Sequence, residues 1–149
     1  MERFADVAGS AMIGGMPELP RTTVGLRIFG DALDPADITR LLGVEPTGCA
    51  RKGDTHRTAS GREVVARSGS WRLDAGVPGD LGTQIGALLD ALPGDPSVWR
   101  ELTGRYECDV FCGLFLRDGN EGTELSPQVM SRLGERGLRL GLDIYGGFD

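Results

Sequence analysis

The sequence predicts a two-layer α+β domain: a mainly antiparallel sheet with helices on one face, ferredoxin-like with an appended helix and strand. Three observations predict it. Apolar and non-apolar residues alternate with a period of two in Thr22 to Phe29, Tyr106 to Arg117 and Leu138 to Tyr145, the pattern of strands buried on one side. Asp34-Pro35, Asp95-Pro96 and Ser126-Pro127 each open a segment with helix-start chemistry, a capping side chain followed by a residue whose missing N–H costs nothing in a first turn. The segments interleave as β-α-β-β-α-β-α-β, and amphipathic strands in such an order favour an antiparallel sheet with helices on one side.

The first strand covers Thr22 to Phe29, with Val24, Leu26 and Ile28 on one face and Gly25, Arg27 and Phe29 on the other. The first helix begins at Pro35, gathers Ile38, Leu41 and Leu42 on one side and stops at Gly43, the usual left-handed terminator. Glu63 to Leu73 reads as one strand with a bulge at Gly69, and Gly48 to Asp54 as its weaker partner across a loop. The second helix, about Asp80 to Leu92, places Leu81, Ile85, Leu88 and Leu92 at three-to-four spacing and ends at Pro93-Gly94. A short helical piece from Pro96 to Leu102 precedes the long strand Tyr106 to Arg117, whose even positions are apolar. Pro127 to Arg136 is the last helix, closing at Gly137, and Leu138 to Tyr145 the last strand.

A chain of 149 residues with 40% hydrophobic and 26% charged residues is one globular domain, large enough to hold a core without a metal or disulfide. Residues 22–149 form that domain, and residues 1–21 read as a loosely ordered arm. The arm's apolar stretch from Val7 to Met16 lacks a basic preceding region and is broken by small residues, so it is not read as a signal peptide, and no run approaches the roughly 18 apolar residues of a membrane span. Cys49, Cys108 and Cys112 cannot all pair, and no C-x-x-C occurs. The expectation is therefore a reducing, cytoplasmic setting without metal or cofactor. A net charge of −6 opposes a phosphate backbone, so nucleic acid is a disfavoured partner.

The run Phe29-Gly30, Leu33-Asp34-Pro35, Ile38, Leu41-Leu42-Gly43-Val44, Pro46-Thr47, Lys52-Gly53-Asp54, Trp71 and Asp143-Ile144-Tyr145 resembles the domain of unknown function 4279 family, over most of the chain after about Thr22. The resemblance implies a small bacterial protein with an α+β domain. It transfers no catalytic residue and no activity.

Two surfaces are candidates. The segment Arg51 to Arg72 holds six Arg or Lys against Asp54 and Glu63, a local +4 in a chain of net −6. Arg51, Lys52, Asp54, His56, Arg57 and Arg62 lie there beside Thr, Ser and Gly, a set suited to holding a small anion or phosphate because guanidinium forks and backbone N–H groups converge on its oxygens. The plainer reading is a solvated hairpin loop. No Walker or dinucleotide-binding glycine pattern accompanies it. His56, the sole histidine, stands seven residues after Cys49, the one pairing from which a Cys/His hydrolase can be imagined; the alternative is an exposed histidine and a small buried thiol. Cys108 and Cys112 are four apart on a strand, roughly 13 Å, too far to share a bond or a metal, and read as core.

The second surface follows from strand phase. With the even positions against the helices, Arg27, Phe29, Asp109, Phe111, Phe115, Asp143 and Tyr145, joined by Glu107 and Arg139, share the opposite sheet face with Gly25, Gly113 and Gly141. Arg and aromatic groups together are favoured at interfaces; the plainer reading is a water-facing sheet with cross-strand Arg and carboxylate pairs, or a face covered by the N-terminal arm. The leading expectation is a noncatalytic protein-interaction module, of the kind that masks a partner such as a toxin. A homodimer is compatible with the sequence, and the partner's identity is not legible in it.

Overall fold

The computed structural model describes residues 21–146. Residues 1–20 of the predicted arm lie outside them. Arg21 is described and buried, its Nη2 donating to Glu121 Oε2 at 2.6 Å.

The elements are β1 (Thr22–Gly30), α1 (Pro35–Leu42), β2 (Gly48–Ala50), β3 (Thr55–Arg57), β4 (Glu63–Val65), β5 (Gly69–Asp74), α2 (Leu81–Asp90), α3 (Pro96–Arg105), β6 (Glu107–Phe115), α4 (Pro127–Glu135) and β7 (Arg139–Tyr145). Three of the four described helices begin on the predicted side-chain cap, Asp34, Asp95 or Ser126, and α2 begins on Asp80 in the same way, each cap accepting a backbone N–H from the first turn. Gly43 ends α1 at φ 73°, a conformation glycine adopts without steric cost. The piece after Pro96 is a full ten-residue helix, held by burial of Trp99, whose indole donates to Pro93 O at 2.7 Å.

The main sheet runs β2-β5-β1-β6-β7, and β3 and β4 form a separate two-stranded hairpin. This is the predicted two-layer α+β class. Its connectivity is not that of a split β-α-β unit: β5 pairs directly with β1, antiparallel, and β6 and β7 are parallel neighbours joined through α4. The predicted single strand Glu63 to Leu73 is two strands in two sheets. Gly69 is where they part, because a Cβ there would lie 2.6 Å from Gly30 O and 2.9 Å from Leu33 Cβ. Only a residue without a side chain lets β5 start this close to the end of β1.

Val24, Leu26, Ile28, Trp71, Val110 and Cys112 form the sheet side of one core with Ile38, Ile85, Leu88 and Leu102 from the helices. Trp71 also donates its indole N–H to Thr39 Oγ1 at 3.1 Å, tying β5 to α1. Each such side chain contributes roughly 1.5–3 kcal/mol by leaving water. The even phase of β1 and β6 is thus consumed by the core, and the odd phase faces away from the helices.

Candidate functional site

Arg27 lies near the middle of β1, and the register sets Asp109 of β6 directly opposite. Its Nε and Nη2 donate to Asp109 Oδ1 and Oδ2 at 2.9 and 2.7 Å, a fork-to-fork pair that fixes orientation as well as charge. The guanidinium lies 4.0 Å from the ring centre of Phe111 and 5.2 Å from that of Phe29, so it is held between two aromatic faces. The bond to Asp109, against the cost of burial, raises its pKa further above the ordinary arginine value.

Two glycines leave Phe111 its place. Gly25 faces it from β1 and Gly141 from β7. A Cβ at Gly141 would stand 3.4 Å from the Phe111 ring, and one at Gly25 would meet Asp74 Oδ1 at 2.9 Å. The glycines noted in the sequence as gaps in this face therefore act as seats for its aromatic and charged groups.

β5 enlarges the surface. Pairing sets Arg72 beside Arg27, Ser70 beside Phe29 and Asp74 beside Gly25, and Arg72 Nε lies 3.2 Å from Asp74 Oδ1. Two adjoining hollows flank the arginine pair. One, of about 430 Å³, is lined by Thr23, Gly25, Val77, Gln84 and Phe111. The other, of about 620 Å³, is lined by Phe29, Ser70 and Trp71 and rimmed by Cys49, Asp54 and His56. Arg27 and Arg72 border both. The first is walled at its end by Gln84, whose amide donates to Thr22 O and Gly79 O at 2.8 and 2.9 Å.

At the other end of the face, Phe115 and Tyr145 stack at 4.6 Å between ring centres, and Tyr145 donates its hydroxyl to Asp143 at 2.7 Å. That bond raises the Tyr145 pKa. Pairing also sets Glu107 beside Phe29 and Arg139 beside Asp109. All seven residues assigned to this face from strand phase lie on it.

The basic segment is dispersed. Arg51 pairs with Asp34 at 2.9 Å and Lys52 with Asp31 at 3.2 Å, which directs both toward the start of α1. Arg57 donates to Gly61 O within its own hairpin, and the Arg62 N–H bonds Thr58 Oγ1. Of the six residues only Asp54 and His56 reach the larger hollow. Cys49 is exposed rather than the buried thiol considered from sequence, because it lies on the three-residue edge strand β2. It shares a rim with His56, and among the described residues no hydrogen bond joins the two. Cys108 and Cys112 are in the core, where burial and the charge of Asp109 push their thiols up to about 11 and about 12. Among the described residues no group of His, Cys, Asp and Glu is placed to hold a metal ion, and no helix is long and apolar enough to cross a membrane.

The open face, the hairpin beside it and every described strand and helix fall inside residues 20–147, the span matched by the model of the family described as Domain of unknown function (DUF4279). The chain belongs to this family. No curated protein and no solved structure matches it. In this DUF4279 domain the residues that sequence reading did not assign to this face are Ser70, Asp74 and Arg72, the last counted instead in the basic segment. Their signal was present, since polar side chains at 70, 72 and 74 alternate with Trp71 and Leu73.

Proposed function

We propose that this DUF4279 domain is a noncatalytic recognition module that seats a protein partner on the open face of its sheet and so masks part of that partner. The observation that carries this reading is the Arg27 guanidinium, fixed between Phe29, Phe111 and Asp109 with a hollow on either side. Rigid Arg and aromatic groups around side-chain-sized hollows are the composition of interface anchors. They sit on strands of one sheet, so little order remains to be lost on binding.

A protein surface fits better than a small anion. Arg27 and Arg72 are each already paired with a carboxylate, so a free anion has to displace Asp109 or Asp74 to reach them. Apolar and polar side chains of a partner need no such exchange. The three free thiols support a reducing, cytoplasmic setting for this role.

The test fills or labels the hollows. A photo-crosslinking residue at Ser70 is expected to capture one partner in cells, whereas the same residue at Arg100, on α3, captures none. Thr23→Trp, placed at the rim of the smaller hollow, is expected to abolish the capture while the unfolding midpoint stays unchanged. Capture that survives Thr23→Trp, or that is as strong from Arg100, removes the basis for this reading. A thermal shift with phosphate or a simple carboxylate that Arg72→Ala abolishes would instead favour anion binding.

A further inference from the structure

The two edges of the main sheet are built differently. At one end β2 is only three residues long, a common way of blunting an edge. At the other, β7 presents seven residues, Arg-Leu-Gly-Leu-Asp-Ile-Tyr, without proline or lysine. Tyr145 turns its carbonyl inward, accepting from Leu116 N at 2.9 Å. Because backbone groups alternate sides along a strand, Leu140, Leu142 and Ile144 turn their N–H and C=O groups to the outer edge, where no other strand of the described residues pairs with them. Leu142 and Ile144 also leave 48% and 55% of their surface exposed.

The side chains of β7 say what fits there. Among the described residues neither Arg139 nor Asp143 makes an ion pair, and the Asp143 carboxylate takes only the Tyr145 hydroxyl. Consider a second β7 laid antiparallel along this edge with Gly141 facing Gly141. Arg139 of each copy then stands opposite Asp143 of the other, and Leu140 opposite Leu142. The outward-turned residues supply the hydrogen bonds, and the glycines leave room for the backbones to approach at the two-fold axis. Shifting the axis to residue 143 sets Asp143 against Asp143, a like-charge pair that is unfavourable. With the axis at Gly141 the strand meets itself with opposite charges face to face, a pairing that suits a two-fold symmetric interface.

We infer that β7 is a homodimerisation edge, at which two copies of this chain join their five-stranded sheets through antiparallel β7–β7 pairing with Arg139 opposite Asp143. The interface shares Asp143 and Arg139 with the outer end of the open face, but includes neither Arg27 nor the residues that line the two hollows.

The experiment is analytical ultracentrifugation of the full chain from micromolar concentration to about 1 mM, with the unfolding midpoint measured on each sample. Wild type is expected to sediment as a dimer at the upper concentrations. Leu142→Pro removes an outward N–H and is expected to leave a folded monomer. Arg139→Asp and Asp143→Arg are each expected to weaken self-association by about tenfold or more through like-charge pairs. Mixing those two variants is expected to restore the dimer, because each then meets its opposite charge. A wild type that stays monomeric overturns the inference, including the case in which an unrelated strand peptide binds the edge instead. A dimer that survives Leu142→Pro, or charge variants that do not rescue one another, overturns it as well.

Discussion

Arg27 faces Asp109 across the β1–β6 ladder and donates two hydrogen bonds to its carboxylate, at 2.9 and 2.7 Å, with 32% and 24% of their side chains open to water. This geometry couples the floor of the proposed partner site to the sheet itself. Asp109→Asn keeps the shape and removes the charge. Because solvent screens a half-open pair, the expected cost is about 1 kcal/mol rather than a buried pair's several. It is read as a lower urea midpoint with an unchanged slope, and the difference from wild type should shrink as salt is raised. Equal midpoints at low salt would show that the pair contributes nothing to the fold.

Glu121 predicts an acid limb of stability. Its side chain is almost fully enclosed. Burial acts to raise its pKa, but the Arg117 and Asp118 backbone N–H groups and Arg21 outweigh that and hold it below the ordinary glutamate value. A carboxyl whose folded value is depressed stabilises the protein above its unfolded value, and that contribution fades as pH falls through the folded value. Glu121→Gln is therefore expected to be less stable than wild type at pH 7. The gap should narrow below about pH 4.3, where the unfolded carboxyl begins to take up its proton. A gap independent of pH between 7 and 3 would contradict this account.

The thiols separate by location. Cys49 is exposed, while Cys108 and Cys112 are buried with values pushed up to about 11 and about 12. Thiolate is the reactive form, so iodoacetamide at pH 8 is expected to label Cys49 alone in the folded protein and all three cysteines in urea. Peptide mapping of the labelled chain checks it. Prompt labelling of Cys112 under native conditions would mean that the core opens readily.

Two glycine substitutions should move stability in opposite directions. Gly69→Ala drives a methyl against Gly30 O and Leu33, and such crowding costs typically about 1–3 kcal/mol. Gly86 lies inside α2, where a Cβ would meet nothing within 4 Å. Gly86→Ala is expected to stabilise by about 0.5–1 kcal/mol through helix propensity. Thermal melts of the two variants beside wild type give the signs directly.

Much of the site was legible because it depends on phase. Once Val24, Leu26 and Ile28 belong to the core, Arg27 and Phe29 must face the other way, and the same holds for Asp109, Phe111 and Phe115 in β6. What escaped was β5, where the reading of Glu63 to Leu73 as one strand obscured the alternation of Ser70, Arg72 and Asp74 with Trp71. For a related reason the basic segment does not gather at one place. Arg51 and Lys52 are close in sequence to Arg57 and Arg62, but their partners Asp34 and Asp31 are close in space. Linear charge density does not record such pairing.

By itself the sequence determined the helix starts, the two-layer class and which side chains of β1, β6 and β7 turn away from the core. Capping and periodicity act within a few residues, so they can be read along the chain. Only the tertiary structure decided that β5 lies beside β1, that β6 and β7 run parallel, and that His56 and Arg72 share one hollow. Those outcomes depend on contacts between residues far apart in the chain, such as Gly69 against Gly30 and Trp71 against Thr39. Local patterns leave open which distant segments meet, and the shared core selects among them.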